Sequence, residues 1–399
     1  MTRFCLRAAP LLALAVLFAG CSATSSVGGA PPPPVLWTFE SVSWFNRFSL
    51  NSTVGPLVVD RVVLYGGTYS FQNTRTSRLA AVDVVSGRPT WRMQHDGAFG
   101  PMVCEGELIA IAVEDSVLGL ELASGIQRWS VPVRPRSLTA APPVVLVAER
   151  QTLRALDPVS GAERWQAASA TDPVTAGDTV LFVAGRTLHA VAAASGEERW
   201  TLELPETLAF PKSVAGDRLY LLGASALGAV SLSGHRLEWV VPLGSAPTWG
   251  LAGGEDTLYF TTQLPAGSYV FHALDPATGK ERWTRPMDSS SPVAPVVMGE
   301  FVATAANSER QSLVALSRAN GSIAWQAEAG SIPVQPVVRD SVLYVAGQGP
   351  NRVFAFQTGT GSLLWSGRLF GWPMGLALTP EGTLLVSADN LTLYAYRTR

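Results

Sequence analysis

Histidine and cysteine are the residue types in this sequence that could bind a metal ion or act as a nucleophile. The four histidines are His95, His189, His235 and His272, and none lies at metal-ligand spacing from another histidine or a cysteine. The sequence therefore predicts no metal site. His189 and His272 each precede an alanine at the same position of a repeated segment. We expect them to have packing roles on two related units, with a shared binding site as the alternative.

Glycine-containing motifs also fail to indicate catalysis. No Gly-x-Ser-x-Gly elbow, phosphate-binding loop or dinucleotide fingerprint occurs between a strand and a helix. The glycine pairs Gly66-Gly67 and Gly253-Gly254 instead predict turns between strands. The sequence therefore predicts a protein that is not an enzyme.

Cys21 is the cysteine whose surroundings predict a covalent modification. Arg3 and Arg7 precede a short apolar run, and Leu17-Phe-Ala-Gly-Cys21 follows, which resembles a bacterial lipobox. The resemblance implies cleavage before Cys21 and a diacylglyceryl thioether on its sulfur. The apolar run falls short of the ~20 residues that a membrane-spanning helix needs. We therefore expect a signal peptide at residues 1–20 and a lipid anchor on Cys21.

The residues after Cys21 predict a tether and a cellular location. Residues 21–34 are small and polar and end in four prolines, which favours a flexible and then semi-rigid linker. Ser22 resembles the residue that directs lipoproteins to the outer membrane. We expect a protein of the bacterial cell envelope that is anchored in the outer membrane and faces the periplasm.

The remaining cysteines predict no disulfide bond. Cys5 leaves with the signal peptide and Cys104 then has no partner, although the compartment permits disulfides. Cys104 lies in the strand-like run Pro101-Met-Val-Cys, which favours a buried structural thiol.

Composition excludes nucleic-acid binding and supports a large packed core. Charged residues make up 15% of the chain, the formal net charge is −2, and no basic run occurs. Hydrophobic residues make up 47% of the chain, which contains 12 tryptophans.

A repeated unit that ends in tryptophan organises most of the sequence. Its clearest copies are Leu79–Trp91, Leu153–Trp165 and Phe271–Trp283, and looser copies end at Trp129, Trp200, Trp239, Trp325 and Trp365. The tryptophans recur at intervals of 35–44 residues, and the segments between them alternate like short strands. This period is typical of an all-β fold in which four-stranded blades form a single β-propeller over residues 35–399.

Aspartate, glycine and tryptophan have structural roles in this unit. Asp83, Asp157 and Asp275 share one position, where a carboxylate can accept N–H bonds of the turn that follows. Glycine closes the turn where the backbone needs a positive φ angle. These glycines are Gly87, Gly125, Gly161, Gly196, Gly279, Gly321 and Gly361. We expect each tryptophan to pack between neighbouring blades rather than to stack on a ligand.

The pattern Ala-x-Asp-x-x-x-Gly-x-x-x-Trp resembles the repeat of the PQQ-like, or quinoprotein-type, β-propeller family over nearly the whole chain from residue 36. The fifth copy departs from it, since Gly234 lies five residues before Trp239, and we expect its turn to be one residue longer. Quinoprotein dehydrogenases typically carry an adjacent-cysteine disulfide, a calcium ion and a catalytic aspartate. No two cysteines are adjacent here, so we expect no PQQ-dependent catalysis and no cofactor.

The repeats predict eight or nine blades in a closed ring. Eight complete units are visible, and the C-terminal Leu391–Tyr396 lacks a tryptophan strand that the N-terminal Val35–Phe39, with Trp37, can supply. Pairing these ends removes the exposed edges of the ring. The usual size in the family favours eight, as does the short stretch Ala141–Leu153.

Insertions that break the period predict binding loops. They fall at Phe45–Ser52, Tyr69–Arg78, Gln263–Ser268 and Asn307–Gln311. Aromatic and arginine residues are enriched at interface hot spots, and six in these insertions are candidate contact residues. These are Phe45, Arg47, Phe48, Phe71, Arg75 and Arg78. Tolerated surface insertions are the alternative.

The combination of lipobox, tether and repeats is similar to the propeller lipoproteins of the outer-membrane β-barrel assembly machinery. The resemblance implies a non-enzymatic scaffold, a monomeric propeller, and an envelope partner such as the barrel-assembly complex. No local match to that family's partner-contact loop occurs. The alternatives are a propeller that captures a polysaccharide or small molecule at its channel mouth, and an enzyme without recognisable motifs.

Overall fold

The computed structural model describes residues 35–40, 49–71, 74–169, 171–245, 247, 250–253, 256–264, 267–289, 291, 293–306 and 312–398. Within these ranges every regular element is a β-strand, and 36 strands form nine four-stranded antiparallel sheets. Each sheet is one blade, numbered here in chain order. Blade 9 takes its fourth strand from the beginning of the chain.

The strand bounds are as follows. β1 (Val35–Glu40) belongs to blade 9. Blades 1 to 3 contain β2 (Ser49–Val59), β3 (Val62–Phe71), β4 (Thr74–Asp83), β5 (Pro89–Asp96), β6 (Phe99–Glu105), β7 (Leu108–Val113), β8 (Ser116–Glu121), β9 (Gln127–Val131), β10 (Ser137–Ala141), β11 (Val144–Ala148), β12 (Thr152–Leu156) and β13 (Glu163–Ala168).

Blades 4 to 6 contain β14 (Val174–Ala176), β15 (Thr179–Ala184), β16 (Thr187–Ala192), β17 (Glu198–Glu203), β18 (Phe210–Ala215), β19 (Arg218–Leu222), β20 (Ala226–Ser231), β21 (Arg236–Pro242), β22 (Ala252–Gly253), β23 (Leu258–Gln263), β24 (Tyr269–Leu274) and β25 (Glu281–Met287). Blades 7 to 9 contain β26 (Val296–Met298), β27 (Phe301–Ala305), β28 (Leu313–Ser317), β29 (Ile323–Ala327), β30 (Val337–Arg339), β31 (Val342–Gly347), β32 (Arg352–Gln357), β33 (Leu363–Arg368), β34 (Pro373–Leu378), β35 (Thr383–Ala388) and β36 (Thr392–Arg397).

Burial explains why the strands differ in pattern. The second strand of a blade is an apolar run, such as the fully buried Val144–Ala148, because both of its faces pack on neighbouring sheets. The fourth strand, such as Glu163–Ala168, alternates between half-buried and exposed side chains. First strands of successive blades contact each other, as β2 contacts both β6 and β34, so they lie nearest the central axis.

The ring is closed. Nine hydrophobic clusters each join two adjacent blades in the described ranges, and one of them packs Val63 and Tyr65 of blade 1 against Leu385 and Leu393 of blade 9. β1 pairs antiparallel with β36, with Phe39 opposite Leu393. The propeller and the pairing of its terminal strands are therefore confirmed. The described strands form nine blades, and the stretch Ala141–Leu153 contributes to a complete blade 3.

The repeated tryptophans join each blade to the next. The indole Nε1 of Trp129, for example, donates to the carbonyl of Pro158 in the next blade at 2.8 Å. A methyl group at Gly161 would lie 2.6 Å from Cδ2 of the same indole, so only glycine leaves room for it. Equivalent bonds are made by Trp37, Trp91, Trp165, Trp239, Trp283 and Trp325. Glycines Gly87, Gly125, Gly196, Gly279, Gly321 and Gly361 face these indoles.

The fifth repeat keeps the length of the turn, so the expectation of a longer turn is wrong. Leu237 pairs with Val230 just as Pro89 pairs with Val82. His235 occupies the position that is glycine elsewhere and also has a positive φ angle, 48° against 68–71° for the glycines. Its ring stacks on the indole of Trp200, with 4.8 Å between the centroids. An aromatic ring therefore replaces the usual contact between tryptophan and glycine.

The antiparallel order gives the ring two different faces. The connections between second and third strands, and from each fourth strand to the next blade, lie at one face, which we call the loop face. The connections between first and second strands, and between third and fourth strands, lie at the opposite face, the turn face. The repeated Asp83, Asp157 and Asp275 belong to the turn face.

Blade 1 is taller than the other blades. Its β2, β3 and β4 contain 11, 10 and 10 residues, whereas the second and third strands of blade 9 contain six residues each. The additional residues extend the sheet at the loop face by about 13 Å, at about 3.3 Å per residue. Gly66 and Gly67 therefore lie within β3, and the prediction that they form a turn is wrong. Gly66 faces the backbone of Arg78 so closely that a methyl group would lie 2.1 Å from its carbonyl oxygen.

Candidate interaction surface

The described strands that flank the four predicted insertions end at the loop face. Residues 263–268 connect β23 to β24, and residues 307–311 fall between β27 and β28. Residues 45–52 fall between β1 and β2, with 49–52 already in β2, and residues 69–78 belong to the extension of blade 1. Phe45, Arg47 and Phe48 lie outside the described residues, and the side chain of Phe71 is not described either. Of the six predicted contact residues, Arg75 and Arg78 have described side chains.

The extension of blade 1 separates these two arginines. Arg75 faces blade 2, and its Nη1 lies 3.7 Å from Oε1 of Glu114. Arg78 faces blade 9, and its guanidinium carbon lies 5.4 Å from the ring centre of Tyr69. The extension is therefore a wall with two chemically different sides.

Hydrogen bonds hold the wall against blade 2. Thr68 and Ser77 are fully buried, and their hydroxyl oxygens lie 2.8 Å apart. The backbone N–H of Phe99, on blade 2, donates to both oxygens at 3.0 and 3.1 Å. Ser77 in turn donates to the carbonyl of Gly97 at 2.6 Å. Because a buried polar network restricts both strands, the other side of the wall is held in a fixed position.

The side of the wall that faces blade 9 carries two arginines. Gln94 lies opposite Arg78, and its Oε1 accepts a hydrogen bond from Nε of that arginine at 3.3 Å. The guanidinium carbon of Arg92 lies 5.1 Å from the ring centre of Phe39 on blade 9. Arg78, Arg92 and Gln94 line a cavity of about 270 Å³.

The loop-face edge of blade 9 forms a floor at the foot of this wall. Trp372 is 54% exposed there, with Phe370 at 65% and Met374 at 41% beside it. The backbone N–H of Trp372 donates to Oδ1 of Asp389 at 2.7 Å, which fixes this connection on the neighbouring loop. Leu391, from the same loop, packs in one cluster with Tyr69 of the wall.

We call this arrangement the step surface: Tyr69, Arg78, Arg92 and Gln94 on the wall, and Phe39, Phe370 and Trp372 along the floor. In the described part of the chain three arginine–aromatic pairs occur, and all lie on blades 8, 9 and 1. Arginine, aromatic residues and methionine are the types that interfaces favour.

Of the residues of the step surface, Arg78 was predicted from the sequence, whereas Arg92 and Trp372 were not. Nine of the 12 tryptophans occupy the repeated position, and Trp372 does not. A tryptophan outside the repeat was therefore an available signal. No sequence signal marked Arg92, because it follows the repeated Trp91 as an ordinary residue of a fourth strand does.

The histidines take part in local packing. His189 and His272 occupy equivalent places: each stacks on a phenylalanine of the preceding strand, and Nδ1 of each lies near a glutamate of the following strand. Burial lowers the pKa of His272, and its Nε2 lies 2.8 Å from Oγ1 of Thr262. Among the described residues no cluster of histidine, cysteine and carboxylate side chains could hold a metal ion.

Cys104 is half-buried, so the prediction that it is buried holds only in part. Burial, followed by the charges of Glu105 and Asp60, raises the pKa of its thiol to about 11. The thiol therefore stays protonated and unreactive at neutral pH.

A larger cavity, of about 560 Å³, lies beside β22 and β26. Its polar side chains are already engaged. Arg318 contacts Oδ2 of Asp256 at 2.7 Å and the hydroxyl of Tyr259 at 3.2 Å. The amide group of Gln335 exchanges two hydrogen bonds with the backbone of Ala294. Ligand capture here would have to break these contacts.

A family model described as outer membrane protein assembly factor BamB matches residues 34–171, 149–237, 223–369 and 309–399. Together these overlapping segments extend from residue 34 to residue 399. The chain belongs to this family.

Individual BamB relatives share limited sequence with the chain. The outer membrane protein assembly factor BamB of Xanthomonas campestris pv. campestris is 34% identical over 82 residues. That match spans 20% of this chain and 20% of the relative.

Solved structures share the fold. BamB from Moraxella catarrhalis has a TM-score of 0.54 and 15% identity, over 88% of this chain and 99% of that one. A quinohemoprotein alcohol dehydrogenase from Pseudomonas putida HK5 has a TM-score of 0.51 and 12% identity, over 82% of this chain and 72% of the enzyme. The fold is therefore common to BamB and to quinoprotein enzymes. In the described ranges, no helix of sufficient length and apolar character to cross a membrane is present.

Proposed function

We propose that this protein is a non-enzymatic, lipid-anchored scaffold that takes part in outer-membrane protein assembly and binds its partner through the loop face. Membership of the BamB family over residues 34–399 is the observation that carries the proposal. The fold alone would not, because quinoprotein dehydrogenases share it.

The geometry of the ring supports binding at the loop face. The described strands that flank the insertions end at this face, and its step surface exposes Phe370 and Trp372. The turn face instead consists mainly of the short turns that the tryptophans hold. A rigid ring with its variable segments on one face suits a protein whose function is to bind other proteins.

The proposed anchor is compatible with this orientation. β1 begins with Val35 at the turn face, and Cys21 lies 14 residues earlier in the sequence. Fourteen extended residues span at most about 50 Å. A lipid on Cys21 would therefore hold Val35 within about 50 Å of the outer membrane, on its periplasmic side, and leave the loop face accessible.

The local chemistry supports a non-enzymatic role. The thiol of Cys104 is kept protonated by burial, and His189 and His272 are engaged with aromatic rings and glutamates.

Photo-cross-linking in intact cells tests the proposal. A photoreactive phenylalanine analogue is placed at position 206 or 372 on the loop face, or at position 159 on the turn face as a control. Glu206 and Val159 are both exposed in the native protein. We expect a component of the barrel-assembly complex to be recovered from the loop-face positions and not from position 159. Recovery of no assembly component from either loop-face position would contradict the proposed function.

A further inference from the structure

We propose that the step surface binds an extended, acidic segment of a partner protein, with its carboxylates on Arg78 and Arg92 and an apolar side chain against Trp372. This inference rests on the proposed function, because it identifies the chemistry of the partner that the loop face binds.

The positive charge of the wall favours an acidic partner. Neither Arg78 nor Arg92 lies within 4.0 Å of a carboxylate in the described residues, whereas Arg75, on the opposite side of the same wall, pairs with Glu114. The segment between β1 and β2 cannot supply a carboxylate, because residues 41–59 contain no aspartate or glutamate. Two guanidinium groups therefore face an open cavity without a counter-charge from the described residues.

Aromatic rings hold both guanidinium groups: Arg78 lies over Tyr69 and Arg92 over Phe39. Stacking restricts the guanidinium plane and leaves its N–H edges able to donate, apart from Nε of Arg78, which donates to Gln94. Arginines held in this way recognise carboxylates with paired, charge-assisted hydrogen bonds.

The spacing of the two arginines matches that of alternate residues in an extended chain. Arg92 lies opposite Ala80, two residues along β4 from Arg78, so the arginines are diagonal neighbours on one side of the sheet. Such neighbours are about 7–8 Å apart. Alternate residues of an extended chain are about 6.6–6.8 Å apart and point to the same side. The wall therefore matches two acidic residues separated by one residue in an extended segment.

The floor supplies exposed apolar surface. Trp372 and Phe370 expose more than half of their surface at the loop-face edge of blade 9, and Asp389 fixes the backbone that carries Trp372. Large aromatic side chains that stand exposed on a fixed backbone are typical interface anchors. An acidic segment that also carries an apolar residue would engage wall and floor together.

Peptide binding to the full-length protein in detergent tests the inference. The probe is a fluorescent nonapeptide with glutamates at alternate positions around one leucine, and its control carries glutamine in place of each glutamate. We expect the acidic peptide to bind and the control to bind at least about tenfold more weakly, since a charge-assisted bond contributes about 1.5–3 kcal/mol.

Substitutions assign the binding to the wall. Arg78→Ala and Arg92→Ala are each expected to weaken the acidic peptide about tenfold or more. Arg75→Ala, on the other side of the same wall, is the matched control and is expected to leave affinity unchanged. Equal affinity of all three variants would overturn the inference. So would arginine-dependent binding to vesicles of phosphatidylethanolamine and phosphatidylglycerol in the absence of peptide binding.

The cross-linking experiment separates this inference from the proposed function. The photoreactive residue is placed also at position 94, on the wall. Cross-links from position 206, without cross-links from position 372 or 94, would retain the function and overturn the step surface as its site. Peptide binding that depends on Arg78 and Arg92, without any cross-link to the assembly complex, would retain the step surface and contradict the function.

Discussion

The hydroxyl group of Tyr65 donates a hydrogen bond of 2.9 Å to the backbone carbonyl of Ala388, 323 residues further along the chain. Tyr65 lies on β3 of blade 1 and Ala388 ends β35 of blade 9, and both are fully buried. Burial, with smaller effects of Asp389 and Tyr394, raises the pKa of the Tyr65 hydroxyl, so it remains protonated and donates. This bond joins the two blades that form the step surface.

Tyr65→Phe is therefore expected to destabilise the ring. It removes one of the two donors to the buried Ala388 carbonyl, which keeps the bond from the backbone N–H of Leu391, so the expected loss is about 0.5–1.5 kcal/mol in free energy of unfolding. Tyr220→Phe is the matched control, because Tyr220 is equally buried and its hydroxyl has no hydrogen bond among the described residues. Urea unfolding measures both variants, and equal losses would show that the bond between blades 1 and 9 contributes nothing.

Glycine at the repeated turn is expected to be indispensable. Gly161→Ala places a methyl group 2.6 Å from the Trp129 indole, whereas Gly177→Ala meets nothing within 4 Å at a similar φ of 58°. Both substitutions carry the backbone cost of a left-handed residue, about 1–2 kcal/mol. Gly161→Ala is expected to cost about 1–3 kcal/mol more, because the indole must move. Comparable unfolding free energies for the two variants would argue against the packing of Trp129 on Gly161.

The repeated aspartate is expected to make the free energy of unfolding depend on pH in the acidic range. Arg164 and then the backbone N–H of Ser160 lower the pKa of Asp157 to about 2. A carboxylate whose pKa is lower in the folded state contributes stability above its unfolded pKa of about 3.9, and that contribution is lost as the pH falls towards 2.

Asp157→Asn isolates this contribution. At pH 7 we expect the variant to be about 1 kcal/mol less stable than the native protein. The difference should shrink between pH 4 and pH 2, because the native carboxylate becomes protonated. Urea unfolding at several pH values measures it, and a difference that is the same at pH 2.5 and pH 7 is inconsistent with the low pKa.

Cys21→Ala is expected to release the protein from the membrane fraction. Removal of the sulfur leaves no site for the proposed thioether, and the tether alone has no affinity for lipid. Cys104→Ala is the control, since its half-buried thiol lies on the propeller, and it should remain with the membrane. Fractionation followed by immunoblotting distinguishes the two variants. A Cys21→Ala variant that stays bound to membranes would reject the lipid anchor.

The repeat could be predicted because each blade contact is local in sequence. Trp129 and Gly161 lie one repeat apart, so the same two residue types recur wherever two blades meet. The sequence also predicted closure of the ring, because Trp37 had no blade of its own near the N-terminus. The position of His235 could not be predicted, since aligning Gly234 with the other glycines was the simplest interpretation of the fifth copy.

The step surface could not be predicted, because it depends on residues far apart in the sequence. Arg92 and Phe39 belong to different blades, and the floor residue Trp372 is 280 positions beyond Arg92. Tyr69–Arg78 was interpreted as an inserted loop because it breaks the period of the repeat, and Gly66-Gly67 was interpreted as a turn. The glycines are instead required within β3, where the backbone of Arg78 approaches too closely for a side chain.

The split blade has a consequence for the order of biogenesis. β1 is synthesised before every other strand, but its hydrogen-bonding partner, β36, is synthesised after all of them. Until then, the edge of β1 lacks its partner, and strand edges that are left open promote aggregation. A chain interrupted before residue 392 never acquires β36. Blade 9, and with it the closed ring, is therefore completed only at the very end of synthesis.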